Sequence, residues 1–347
     1  MIRKATENDK DAIRKLWRAN TTMLGGVQYQ EINRGIASGT LHVAEKENVI
    51  LGFVSYYARR DGNTIYHIVT SEDARNQGIG AALLWSVPCP IRLKVTADNE
   101  AAIRFYEHHH MVRVGEETTK KDRLLYVYEL KTLFIQVAGN NTKWPEICRN
   151  AGIAYGSRHD DKIRAWPTMI DINWKKYDWP KYLDILKLHK PIMAMVADYE
   201  APEQKETMLS QVQDLRDLGI LRIMVCPKFN EAIADIPNDC VIAVSVPSKY
   251  AGYIPPMQQL SGKKVHLLGG SPVKQREYSM KMNGVGANVI SIDGNSHTSA
   301  DGRLWKHGRW QFPKNGTPYY SLVQESAGNI SRMFQGIEEK QLGLWAA

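Results

Sequence analysis

Two short apolar runs in this chain end abruptly on residues able to do chemistry. Val265-His-Leu-Leu-Gly-Gly-Ser-Pro272 stops on glycines, and Val289-Ile-Ser-Ile-Asp293-Gly stops on a carboxylate. A polar, helix-length segment, Lys274 to Asn283, lies between them. This spacing predicts a strand–helix–strand unit with parallel strands, whose C-terminal ends carry the reacting groups. Asp293 stands one step past a buried strand, where packing has no use for a charge. It is the candidate nucleophile or base.

The same rhythm of apolar run, polar stop and helix fills residues 132–347. The runs are Leu133 to Val137, Gly152 to Tyr155, Thr168 to Ile172, Ile192 to Val196, Arg222 to Cys226, Val241 to Val246, Val265 to Leu268 and Val289 to Ile292. Helices are expected over Tyr182 to Leu188, Lys205 to Leu218 and Lys274 to Met282. Eight such units predict a compact (β/α)₈ TIM-type barrel with some units trimmed. In a barrel, the residues past each strand converge on one mouth. They include Gly156-Ser-Arg158-His159-Asp160-Asp161, Asp198-Tyr199-Glu200, Pro227-Lys228-Phe229, Pro247-Ser248-Lys249-Tyr250 and Gly269-Gly270-Ser271. Carboxylates accept from ring N–H and amino groups, aromatics stack, and glycines let a flat ligand lie against backbone. Asp198, Tyr199, Gly269, Gly270 and Ser271 are therefore candidate ligand-binding residues, and His266, inside the seventh run, is a further candidate.

Residues 1–130 alternate differently, in an α+β manner. Strands are expected over Met1 to Ala5, Leu41 to Glu45, Val49 to Tyr57, Thr64 to Val69 and Leu124 to Leu130, with a helix over Asn8 to Asn20. Arg75-Asn76-Gln77-Gly78-Ile79-Gly80 follows the fourth strand and opens an apolar helix. Glycines there let backbone amides approach a phosphate, and the helix N-terminus adds positive potential. Asn99-Glu-Ala-Ala-Ile-Arg-Phe105-Tyr106 follows about twenty residues on. In order and type this half resembles the GCN5-related N-acetyltransferase family. The resemblance implies that Arg75 to Gly80 bind the pyrophosphate of acetyl-coenzyme A, with Asn99 and the Phe105–Tyr106 pair near its pantetheine arm. It implies that Tyr106 protonates the departing thiolate and that His67 is the general base. The family's glycine after the Phe-Tyr pair is absent, and His108-His-His110 stands there. Adjacent side chains on a helix diverge, so these three cannot chelate one metal ion and read as a solvated helix end.

Composition sets limits. The chain has 347 residues, 43% hydrophobic and 24% charged, ordinary globular values with room for two cores. No apolar run approaches the roughly 20 residues of a membrane span. No metal and no disulfide framework are expected, because the four cysteines (Cys89, Cys148, Cys226, Cys240) are scattered. With no signal peptide at Met1-Ile-Arg-Lys, a cytoplasmic site is expected. Net charge is +8, split +2 over residues 1–130 and +6 over 131–347. That excess suits a nucleic-acid partner, with Lys249, Arg303, Lys306 and Arg309 as phosphate contacts and Trp305 and Trp310 as stacking platforms.

The barrel half resembles the tRNA-guanine transglycosylase superfamily. The residues that carry the resemblance are Ile192-Met-Ala-Met-Val-Ala-Asp198, Val265 to Pro272, and Gly284 to Asp293. The family's zinc site and its Asp-Ser-Gly-Gly-Phe-Gln signature are missing. A compact zinc-free version is similar to phage DNA 7-deazaguanine transglycosylases. The resemblance implies exchange of guanine in DNA for a deazapurine base, with Asp293 as nucleophile, Asp198 reading the base and Asp160 or Asp161 as acid/base. DNA, a deazapurine and acetyl-CoA are then the expected partners, with a homodimer also allowed. Two other readings stand beside it: an acetyltransferase whose barrel binds a nucleotide or nucleic acid, and a non-enzymatic DNA-binding accessory protein.

Overall fold

A computed structural model describes residues 2–24, 26–59, 62–137, 139–247, 253–298, 302–313 and 315–337. The chain divides into two compact units, residues 1–130 and 131–347.

In the first unit the elements are β1 (Ile2–Lys4), α1 (Lys10–Ala19), α2 (Thr21–Leu24), α3 (Tyr29–Ser38), β2 (Leu41–Lys46), β3 (Val49–Arg59), β4 (Gly62–Thr70), α4 (Ile79–Ser86), β5 (Ile91–Thr96), α5 (Glu100–His108), β6 (Val112–Thr118) and β7 (Leu124–Leu130). Their strands form one sheet in the order β1-β2-β3-β4-β5-β7-β6. Helix α3 was not expected from the pattern. Its apolar positions Ile32 and Ile36 sit one turn apart, and Gly39 closes it in the left-handed region (φ +67°), the usual helix stop. Ile13, Trp17, Ile32, Leu41, Val43, Phe53 and Val69 form the core under these helices.

One pairing positions the site. β4 and β5 are parallel neighbours, but only Asn63–Ile65 and Ile91–Leu93 share a register. β4 continues to Thr70 and β5 to Thr96 without pairing each other, while β5 pairs along its full length with β7. The two strands thus part at their C-terminal ends.

The second unit holds β8 (Leu133–Val137), α6 (Trp144–Ala151), β9 (Ala154–Arg158), β10 (Met169–Asp171), α7 (Trp179–His189), β11 (Met193–Met195), α8 (Lys205–Asp217), β12 (Arg222–Val225), α9 (Ala232–Asp235), β13 (Val241–Ser245), β14 (Lys264–Leu268), α10 (Pro272–Gly284), β15 (Asn288–Asp293), β16 (Leu304–Lys306), β17 (Arg309–Gln311) and α11 (Tyr319–Gln335). β8 to β15 close into a barrel of eight parallel strands. The eight expected runs are these eight strands. Gly152 does not open the second: it caps α6 at φ +67°, and that strand runs from Ala154 through Arg158. Among the described residues, no helix joins β9 to β10, and only a short 3₁₀ turn, Met257–Leu260, precedes β14. These are the trimmed units. Also among the described residues, no helix is long and apolar enough to cross a membrane.

Candidate functional site

In the first unit the parted strands lead into the Arg75–Gly80 turn. Asn76 (φ +61°) and Gly78 (φ +80°) both take left-handed backbone, which turns the chain sharply into α4. Gly78 is the N-cap of α4, and no side chain caps the helix there. A Cβ on Gly78 would meet nothing within 4 Å, so open space lies beside that backbone. Gly80 lies against the ring of Phe105, at 3.4 Å from a built Cβ, which ties the turn to α5. Arg75 lines a cavity of about 660 Å³ together with Lys15, Leu51 and Ser71. Gln77 is spent locally, donating from Nε2 to the Asp73 carbonyl at 2.7 Å. Asn99 caps α5, its side chain accepting from the Ala102 amide at 3.1 Å. Tyr106 packs edge-on to Phe105 (5.4 Å), and burial pushes its phenol up to about 12, so it keeps its proton at neutral pH.

His67 lies in the parted half of β4. Its Nδ1 is 3.1 Å from Ser55 Oγ and 3.3 Å from Glu31 Oε1, and its ring packs on Trp17 at 4.5 Å. Neither Glu31 nor Ser55 carries a local signal of this contact: Glu31 lies on α3 and Ser55 is one position of the apolar strand β3.

Of the three histidines only His108, the last residue of α5, is an exposed helix end; His109 and His110 turn inward. His109 is 5% exposed and accepts from Trp85 Nε1 at 3.3 Å. Burial lowers His109 to about 3 and His110 to about 4, so both are neutral.

In the second unit Asp293 is the last residue of β15 rather than one step beyond it. Its Oδ1 accepts from the Gly269 amide at 2.7 Å and lies 3.7 Å from His266 Nε2. His266 is fully buried, and its Nδ1 meets Ser291 Oγ at 2.8 Å. Gln275 clamps the two strand ends, donating to the Gly269 carbonyl (2.7 Å) and the Asp293 carbonyl (2.6 Å). Gly270 (φ +87°) must be glycine, since a Cβ would meet Val246 at 2.6 Å. Ser271 is a helix cap for α10, accepting from the Lys274 amide.

Asp198 pairs with Lys228 at 3.1 Å, and both side chains are partly exposed. Tyr199 is engaged elsewhere: it is 1% exposed and donates to Asp235 at 2.8 Å. Asp160 and Asp161 both pair with Arg158 at 3.3 Å, and Asp160 also accepts from Asn173 Nδ2 at 2.8 Å. Burial acts to raise Asp160, but Asn173 and Arg158 outweigh it and hold the carboxyl below its ordinary value. An anion so held is a poor proton donor.

The titratable carboxyl of the mouth is Asp171, the last residue of β10. Burial, then the charge of Asp293, then that of Asp198 push it up to about 7, against the weaker pull of the Ile172 amide and Arg158. The signal was in the sequence: Asp171 is the one charge inside the apolar run Thr168 to Ile172.

The expected nucleic-acid contacts divide. Arg309 is exposed on β17, and Lys306 lies 4.0 Å from Glu325. Trp305 is no stacking platform. It is 1% exposed, with its backbone held by Ser326 (2.9 Å) and Asn329 (2.7 Å) of α11 and its ring edge-on to Trp310. Lys249 lies outside the described residues. Among the described residues, no three His, Cys, Asp or Glu side chains group as metal ligands.

Residues 10–111 match the acetyltransferase (GNAT) family, and the first unit carries a GNAT domain. Residues 149–335 match a family described as a family of unknown function (DUF6610). No curated protein matches the chain. Among solved structures, a GNAT-family acetyltransferase from Bacillus cereus is 21% identical over 38% of this chain and 97% of its own, with a TM-score of 0.34. The ribosomal-protein-alanine N-acetyltransferase from Brucella melitensis is also 21% identical, over 37% and 98%, at 0.33. Arabidopsis thaliana Naa50, in complex with the bisubstrate analogue CoA-Ac-MVNAL, is 18% identical over 37% and 96%, at 0.32.

Proposed function

This chain belongs to that family of unknown function, whose match covers more than half of it, and from the GNAT domain beside it we propose an acetyl-CoA-dependent N-acetyltransferase. The observation that carries the reading is the parted β4–β5 pair leading to the uncapped N-terminus of α4 at Gly78. The free strand edges suit the pantetheine amides, and the helix N-terminus suits the pyrophosphate. The amine would lose its proton to His67 and attack the acetyl carbon. The C–N bond forms as the C–S bond breaks, and Tyr106 protonates the leaving thiolate. Incubation with labelled acetyl-CoA and a panel of primary amines should release CoA and yield an acetylated amine. No coenzyme binding at millimolar concentration ends this reading.

A second reading concerns the barrel, and Asp171 with Asp293 favours it. One strand-end carboxylate beside another that stays protonated to about pH 7 is the division of labour that glycosyl transfer needs. Asp293 would attack the anomeric carbon of a deoxyguanosine flipped out of DNA, and Asp171 would protonate the leaving guanine. A 7-deazaguanine base would then return its proton to Asp171 and displace Asp293, with net retention. Labelled guanine exchange into DNA tests it. Salt-dependent DNA binding with no exchange would instead favour a non-enzymatic DNA-binding role.

A further inference from the structure

Three side chains from three elements meet inside the first unit, and their proton inventory has one consistent solution. Glu31 of α3 is 7% exposed and Ser55 of β3 is 1% exposed. Ser55 Oγ donates to Glu31 Oε1 at 3.0 Å. Burial acts to raise the Glu31 carboxyl, but His67, Ser55 and Arg34 outweigh it and hold it below the ordinary value. Glu31 is therefore an anion, which only accepts. The single proton of Ser55 is committed to Glu31, so toward His67 the serine oxygen also only accepts. His67 Nδ1 faces these two acceptors, at 3.1 Å and 3.3 Å. A lone pair on Nδ1 would face two others, so Nδ1 carries the proton. In the neutral ring Nε2 is then the basic nitrogen. Among the described residues, no group bonds to Nε2. The Trp17 ring, fully buried at 4.5 Å, fixes the imidazole plane.

We propose that Glu31 and Ser55 are positioning residues that lock His67 in its Nδ1–H tautomer, so that Nε2 takes the proton from the acceptor amine. The inference rests on the acetyltransferase reading for its purpose, but the tautomer is a property of the resting protein. The amine proton passes to Nε2 as the nitrogen bonds to the acetyl carbon, and the imidazolium formed is stabilised by the Glu31 charge behind it. The arrangement selects an amine that arrives neutral or sheds its proton at the site.

Proton–nitrogen correlation spectra of the full-length, histidine-labelled protein read the tautomer, with the His67 signals assigned by their loss in His67→Gln. The expected wild-type pattern is Nδ1–H with an unprotonated Nε2. In Ser55→Ala and Glu31→Gln the pattern should move toward Nε2–H. In the same variants kcat for acetyl transfer should fall about 10-fold to 100-fold, with acetyl-CoA affinity by calorimetry unchanged. Nε2–H in the wild type overturns the proposal, as does an unmoved tautomer in both variants. Should Glu31→Gln fail to fold, Glu31→Asp and Ser55→Ala carry the same comparison. A wild-type protein with the Nδ1–H tautomer but no coenzyme binding would retire the acetyltransferase reading and, with it, the amine's part in this one, while leaving the lock itself established.

Discussion

Asp293 and Asp171 end two strands of one barrel, and the charge of the first helps keep the second from ionising. Burial is the larger cause of the raised Asp171, and Asp293 is the next. Asp171 is thereby kept as an acid to near neutral pH.

That shift has a measurable sign. The native Asp171 carboxyl is raised from 3.8 to about 7. Between those values the native state holds a proton that the unfolded state has lost, so stability falls as pH rises from about 4 through about 7 and levels off above. Asp171→Asn removes the penalty and should stabilise the unit at pH 8 by up to about 4 kcal/mol relative to its effect at pH 4. Denaturant unfolding at both pH values checks it. Asp293→Asn should lower the Asp171 midpoint without returning it to 3.8, because burial remains. Carboxyl-carbon titration reads that midpoint.

Asp293→Asn keeps an oxygen for the Gly269 amide and removes the nucleophile proposed for base exchange. Guanine exchange should fall by about 1,000-fold or more with the fold intact. Mass spectrometry should find no trapped glycosyl adduct in the variant. Full exchange activity would exclude Asp293 from the chemistry. Asp198→Asn should instead weaken base choice, by about 2–3 kcal/mol.

Gly270→Ala should cost about 2–4 kcal/mol, since a Cβ would lie 2.6 Å from Val246 and the backbone is left-handed. Removing the neighbour's whole side chain, in Gly270→Ala with Val246→Gly, takes away both the 2.6 Å and the 2.8 Å contact and, measured against Val246→Gly alone, should recover the clash but not the backbone strain. Thermal melts of the single and double variants separate the two contributions.

Gly78→Ala faces open space but keeps φ at +80°, so the fold should lose only about 1 kcal/mol. Acetyl-CoA affinity should fall further, by about 10-fold or more, because the added methyl enters the space a phosphate would use. Calorimetry showing unchanged affinity would place the coenzyme elsewhere.

If the β16–β17 hairpin touches DNA, Arg309→Glu should weaken binding uniformly across sequences. The salt slope of log K should drop by about 1. Fluorescence anisotropy at several salt concentrations measures both, and an unaltered slope removes Arg309 from the interface.

Much of this protein is readable from its sequence. Seven of the eight barrel strands show as largely apolar runs, because a parallel strand buried on both faces favours apolar residues along its length, while β9 continues through Gly156, Ser157 and Arg158 and shows only in its first two residues. The Arg75–Gly80 turn shows because left-handed backbone there calls for glycine or asparagine. The domain boundary shows because the charged turn at Lys120 to Arg123 and the strand Leu124 to Leu130 close one pattern before Leu133 opens another. What only the tertiary structure decided is which polar groups face each other. Asp160, Asp161 and Asp171 are alike as letters. Arg158 pairs with the first two, while burial and the charge of Asp293 push the third up to about 7. Trp305 reads as a stacking surface until α11 covers it. Glu31, Ser55 and His67 are spread over 37 positions of sequence and meet only because α3 packs on the sheet. Periodicity is a local property, set by each residue's own strand or helix. A proton's position is set by desolvation and by charges that the fold brings from elsewhere.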